Sequence, residues 1–590
     1  MSENTAVLHE PQRARRGGTR GLVAVVATVL AVVLIAVGGF AALQFFSAGG
    51  PQPSSVLPAS TFALVTVDLD PSGGQKVEAL KTLHKFPGLR KTTGLDSSSD
   101  VIESIFAEAQ DEGVCEKLSF GRDVKPWVGD RLGFGGVVLG EKKIAPVLAM
   151  QVTDIPKARS SLGKVAKCMD ADGQDFGWTV TGDYLIASDS KAHADAIVAA
   201  AKKTPLSQDR AYQRWTNEVG EPGIASVYVA QRAPEVYADW MDSMMSDFGS
   251  EYEIESEEFS EGSMESLSEG PPGTFTKKNK QNRRAERRFQ KDMQEEMSQM
   301  QDEMDEEMGS YSRDIRKSYK DFRGAAGTLR FADGGIEMAF ATNDTGSAKG
   351  ATVTDHVGKL PADTAAVLAG AVPDGNKLAG QLAGDGVTGM GMGLGMGMGM
   401  LMFPYGMGMA EEGMFDSLGM DLPEDLATLL GTSFSLSVGA DVPADLDKVK
   451  RPADVPAGVL VRGDAAEIQA VIKKIEKHIG DTLAGVPASL RTSDGQVAIG
   501  TTPAYADDLL TEGSLRDQKL FQSVVPEVER ANSVGFVRLD GNWRDAFAED
   551  SAKNKGDAKT FANFDVIEAI GASTWNEGAT SHGLVRLDLK

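Results

Sequence analysis

Cysteine and histidine are scarce, two of one and six of the other in 590 residues. The histidines are His9, His84, His193, His356, His478 and His582. They form no H-E-x-x-H or H-x-H pattern, and no Cys/His set has zinc spacing, so zinc-hydrolase and zinc-finger chemistry has no ligands here. A G-x-S-x-G elbow is absent too. Two S-x-x-K matches occur, Ser161 to Lys164 and Ser188 to Lys191. Neither is followed by the S-x-N or K-T-G elements that an exported acyl-transfer enzyme would add, so both read as ordinary helix and turn residues. Asp170, Asp172 and Asp175 approach a calcium loop, but the fifth-position ligand and the distal Glu are missing. Positive charge is in deficit: 60 Lys and Arg against 85 Asp and Glu leave a net charge of −25. Such a chain repels nucleic-acid phosphates and anionic lipid surfaces. Carboxylates are so plentiful that no pair stands out as an acid/base couple. The chain therefore reads as non-enzymatic, with no cofactor.

Leu22 to Phe46 is one uncharged apolar run, preceded by Arg13, Arg15, Arg16 and Arg20. As a helix it would be about 37 Å long, enough to span a bilayer core of about 30 Å. No Lys or Arg follows until Lys76, so the positive-inside rule leaves the tail in the cytoplasm and exports the rest. The expected order is a cytoplasmic basic tail (1–21), a transmembrane helix (22–46), a linker (47–56) and an extracytoplasmic region. A cleaved signal peptide is the alternative, against which stand the length of the run and the lack of an A-x-A site. No cysteine at the end of the run allows a lipoprotein anchor. The two cysteines, Cys115 and Cys168, are both exported, where one disulfide or two buried thiols are open readings. A bridge would close a loop on the order of fifty residues, for which chain entropy gives about 4 kcal/mol.

The exported region carries a long internal repeat. LPASTFALVTVDLDPS from Leu57 returns as LPADTAAVLAGAVPDG from Leu360, and WVGDRLGFGGVV from Trp127 as LLGTSFSLSVGA from Leu429. GDYLIASDSKAHADAI from Gly182 aligns with DGQVAIGTTPAYADDL from Asp494, placing His193 on Tyr505. Phe434, Leu436 and Val438 alternate with Ser435 and Ser437, which marks a half-buried strand. Ile468, Val471, Ile472, Ile475 and Ile479 form one face of a helix, with Asp464 as its N-cap. Turns at Thr181-Gly182-Asp183 and Ser493-Asp494-Gly495 favour antiparallel hairpins. The predicted fold is α+β: after the transmembrane helix, a duplicated unit of antiparallel sheet with helices packed on one face. The copies are expected over 57–345 and 346–590.

Leu57, Pro58, Ser60 and Thr61, followed by the turn Asp68, Asp70, Pro71 and Ser72, resemble the opening motifs of the bacterial domain-of-unknown-function family 3352, common in actinobacteria. The resemblance covers most of the exported region and implies a basic tail, one membrane span and an extracytoplasmic domain. It implies no activity and no catalytic residues.

Each copy holds an insertion. Residues 242–323 alternate acidic and basic blocks, suited to a charged helical hairpin or to disorder. Their basic block (Lys277, Lys278, Lys280, Arg283, Arg284, Arg287, Arg288) is a candidate for anionic lipid or wall polymer. Residues 386–420 are Gly- and Met-rich low complexity, expected to be a flexible loop. Met293, Met297, Met300, Met304 and Met308 recur at helical spacing, and the loop adds Met390, Met392, Met396, Met398, Met400, Met407 and Met409. Thioethers are soft ligands suited to Cu(I), so envelope copper handling is the alternative function. As hydrophobic filler the same stripe needs no metal. The leading reading is a membrane-anchored binding or structural module of the cell envelope, whose partner is another envelope protein, a lipid or a glycan.

Overall fold

Short hairpin turns and alternating apolar residues build one large antiparallel sheet. The computed structural model describes residues 51–70, 73–85, 118–140, 143–171, 177–243, 312–343, 351–384, 418–443, 449–479, 489–511, 513–541 and 566–590, with 103, 106, 107, 110 and 544. The apolar run 22–46 lies outside them. Among the described residues no helix is long and apolar enough to cross a membrane.

The first half contributes β1 (Thr61–Asp68), β2 (Val128–Leu139), β3 (Lys143–Val152), β4 (Gly177–Thr181), β5 (Tyr184–Ser188), β6 (Ala225–Ala230), β7 (Gly324–Ala332) and β8 (Gly335–Asn343). The second contributes β9 (Thr364–Ala371), β10 (Ser433–Gly439), β11 (Ala457–Arg462), β12 (Ser489–Ser493), β13 (Gln496–Gly500), β14 (Ser533–Arg538), β15 (Ile567–Glu577) and β16 (Thr580–Leu589). All sixteen strands form one sheet in the order β12-β13-β11-β10-β9-β14-β15-β16-β8-β7-β6-β1-β2-β3-β5-β4. Read outward from the middle, the two halves have the same strand order. They join through β8 and β16, where Ala339 faces Leu584, each the fifth residue of its strand. An approximate twofold axis therefore passes through that pair.

The repeated motifs perform the same local work in both halves. Thr61 donates its hydroxyl to the Pro58 carbonyl at 2.7 Å, and Thr364 does the same to Pro361 at 2.7 Å. The carbonyls of Leu57 and Leu360 accept from the amides of Leu206 and Leu515. Ser190 caps α3 (Lys191–Lys203) through the His193 amide, as Thr502 caps α9 (Pro503–Leu510) through the Tyr505 amide. Gly182, at φ 54°, and Asp494 and Gly495, at 45° and 73°, turn the matching hairpins β4–β5 and β12–β13.

Helices cover both faces of the sheet, not one. On the front face lie α3, α4 (Arg210–Glu218), α9 and α10 (Lys519–Val524). Ile197 of α3 and Trp215 of α4 pack with Tyr184 and Ile186, while Leu509 and Phe521 pack with Ala498 and Leu460. On the back face α2 (Ile155–Ala171) sets Ala158 and Leu162 against Leu185. There α8 (Ala465–Ile479), capped by Asp464 as the sequence predicts, sets Ile468 against Val497. The cause is visible in β5, whose five residues are all buried, so each face needs its own cover. Burying each large aliphatic side chain contributes about 1.5–3 kcal/mol. β10 departs from a simple half-buried strand. Ser433, Ser435 and Ser437 are buried beneath hydrogen-bonding partners, and the apolar Leu436 is 43% exposed.

Residues 51–56, expected as linker, are a strap against the front of the first half. Tyr184 donates its hydroxyl to the Pro51 carbonyl at 2.7 Å, and Gln52 donates to Asp68 at 2.8 Å. Pro53 and Ser54 are buried, with Pro53 lying over Gly133, where a Cβ would come within 2.6 Å of the ring.

Candidate functional site: the seam between the halves

Front-facing side chains form three rows across the β8–β16 junction. In the first, Arg330 of β7, Glu337 of β8 and Arg586 of β16 stand in register. Glu337, its side chain 5% exposed, accepts from Arg330 Nε at 2.8 Å and from Arg586 Nε at 2.9 Å. Arg330 also donates through Nη1 to the carbonyls of Val219 and Glu221. Arg586 donates to the Ser523 carbonyl and to Asp333. A carboxylate this buried is costly unless paired, and here one arginine from each half meets it.

The middle row is Thr328, Ala339, Leu584 and Ser573, on the approximate twofold axis. The third is Ala326, Ala341, His582 and Trp575. The rings of Trp575 and His582 stack at 5.4 Å and 9°, and the Arg530 guanidinium lies 4.5 Å from the Trp575 ring centre. Burial holds the His582 pKa below its ordinary value, although Glu218 lies 3.5 Å from its Nε2 and pulls the other way. Among the described residues, Ser573 Oγ, Trp575 Nε1 and His582 Nε2 are buried with no hydrogen-bond partner. Trp215 and Val219 of the first half pack into the same cluster as Ala339, Leu584 and Trp575. The seam thus holds an ionic clamp across the halves, an aromatic stack on the second half, and a middle row of two hydroxyl and two apolar side chains.

A second polar cluster lies under β10. His356, on the short helix α5 (Thr354–Gly358), is 3% exposed. Its Nε2 is 3.1 Å from the Leu460 carbonyl, which only accepts, so that nitrogen carries the proton. Nδ1 then accepts from Ser433 at 3.2 Å. Desolvation lowers the His356 pKa to about 4, with Arg462 adding to the effect. Tyr505 meets the Ser437 hydroxyl at 3.1 Å, and burial pushes its pKa up to about 12. A histidine titrating that low is a weak proton acceptor at neutral pH, and Ser433 is itself only 6% exposed.

The S-x-x-K residues fall into structural roles. Lys164 forms an ion pair with the fully buried carboxylate of Asp123 at 2.7 Å. Arg122 first and Lys164 second hold the Asp123 pKa well below the usual range. Ser188 donates to the Pro146 carbonyl at 2.6 Å, while Lys191 pairs with Asp195. Asp68, of the D-x-DPS turn, accepts from Arg131 and Gln52 and, through its second oxygen, from the Asp70 amide. His193, in the first turn of α3, bonds Asp189, just before that helix, at 2.6 Å. Asp172 and Asp175 lie outside the described residues, as do Cys115, the basic block from Lys277 to Arg288 and the candidate copper methionines of both insertions. Cys168 lies on α2, its side chain outside the description. Among the described residues no group of three or more His, Cys, Asp or Glu is placed to hold a metal ion.

Sequence reasoning missed the seam and the His356 cluster. Glu337, Arg330 and Arg586 each look like the polar side of an alternating strand. The one available signal was the charge placed mid-strand in each of three apolar segments. The architecture is an α+β sheet of two like halves joined through β8 and β16. Compared with protein families, with curated proteins and with solved structures, the chain matches none.

Proposed function

We propose that the chain is a single-pass membrane protein whose extracytoplasmic region is a non-enzymatic binding or structural module of the cell envelope. In this reading the two halves are copies of one unit, of the kind the opening motifs share with family 3352. The observation that carries it is the joint itself. β8 and β16 pair over eight positions, and above them Arg586 of the second half bonds Glu337 and Asp333 of the first. A continuous sheet with an ion-paired junction suits a platform that presents surfaces to a partner. On the back face three separate apolar side chains, Leu436 of β10, Met338 of β8 and Val227 of β6, are each 40% or more exposed.

The test is crosslinking in cells with tagged full-length protein, read by mass spectrometry against a tagged anchor-only control. One envelope protein enriched with the full chain and lost from the control is the expected result. No protein enriched over the control refutes the protein-binding form. Tight Cu(I) binding by the purified exported region, abolished on deletion of 386–420, would replace this reading with copper handling.

A further inference from the structure

Only Ser47, Ala48, Gly49 and Gly50 separate the apolar run, ending at Phe46, from Pro51. Pro51 is where the chain becomes fixed to the sheet: its carbonyl is held by Tyr184, Gln52 is held by Asp68, and Leu57 is fully buried. From Phe46 to Pro51 a fully extended chain reaches at most about 18 Å. The point of attachment is also well defined on the sheet. Tyr184 opens β5 directly after the Gly182–Asp183 turn. The Asp183 carbonyl accepts from Val152 at the end of β3, and the Trp127 carbonyl, just before β2, accepts from Thr153. The strap then runs along the front face to Ser60, whose carbonyl meets Val138 at the far end of β2.

We infer that this one end of the strands in the first half, carrying Pro51, the Gly182–Asp183 turn, Thr153 and Lys125, is the surface that stands against the membrane holding the chain. The inference rests on the proposed anchor and adds an orientation to it. The cause is the short leash and the fixed strap, not charge, since a chain of net charge −25 gains nothing from anionic headgroups. β3 runs from Lys143 to Val152, so Lys143 lies about 30 Å farther along the strand direction than Asp183. Both positions are exposed.

The test places a fluorescent amino acid at Asp183 or at Lys143 of the full-length chain. The protein is reconstituted into phosphatidylcholine vesicles with acceptor dye on the headgroups. At least threefold more energy transfer from position 183 than from 143 is expected, unchanged when phosphatidylglycerol is added. Inserting about twenty Gly/Ser residues between Gly49 and Gly50 is expected to bring the two sites towards equality. Equal transfer from both sites in vesicle-bound native-length protein overturns the orientation and leaves the anchor standing. Transfer that differs only when anionic lipid is present overturns the leash as its cause. Protein that does not float with the vesicles overturns the anchor, and the orientation with it.

Discussion

His356 makes the stability of the second half depend on pH in a direction that can be worked out in advance. In the folded protein its pKa is lowered from 6.5 to about 4, desolvation being the largest cause. The unfolded chain therefore binds the proton more tightly than the native state does. Its contribution is fully present above pH 6.5 and is lost as pH falls from there towards 4, where it levels off. The difference of two and a half pKa units corresponds to about 3 kcal/mol. His356 Nε2 donates to the Leu460 carbonyl, so the change should be felt first where β10 and β11 pair. Hydrogen exchange of the amides of Ser435 and Leu460 in purified protein spanning residues 51–590, between pH 7.5 and 4, reads this locally, after correction for intrinsic exchange. The comparison is His356→Gln, which keeps a donor and an acceptor but does not titrate. Wild-type protection should fall relative to the variant by roughly a hundredfold across the window. A wild-type-to-variant ratio independent of pH refutes the argument, whatever the absolute stability of His356→Gln.

Three further outcomes follow from the geometry. Glu337→Ala should destabilise the protein by about 3–5 kcal/mol, because it leaves two part-buried arginines facing each other. Asp333→Asn, at a carboxylate that is itself 82% exposed, should cost under about 1 kcal/mol; equal losses in urea unfolding would contradict the clamp. Gly177→Ala should cost more than about 1–3 kcal/mol, since a Cβ there would come within 1.8 Å of the Lys191 backbone nitrogen; wild-type thermal unfolding would be the contrary result.

Much of the local structure was legible in the sequence because it depends on near neighbours. Asp464 caps its helix, Ile468 and Val471 point inward, and the turns at Gly182 and Asp494 close hairpins. The internal repeat was legible for the same reason: Thr61 and Thr364 each bond the carbonyl three residues back. Burial by face was not. Leu436 alternates with serines, yet the serines are the buried side, because His356 and Tyr505 arrive from distant parts of the chain to satisfy their hydroxyls. The strap over 51–56 reads as linker from its Pro and Ser content, and only Tyr184 and Asp68, far along the chain, make it part of the fold.

By itself, then, the sequence determined the elements, their turns and caps, and the fact that one pattern occurs twice, since these follow from local spacing and backbone preference. Tertiary structure decided how the two patterns meet. Pairing β8 with β16 set Arg586 against Glu337, which already stands beside Arg330, joining residues 249 positions apart. No local rule specifies such pairings. They arise only when closing one sheet through both halves puts buried charge in register.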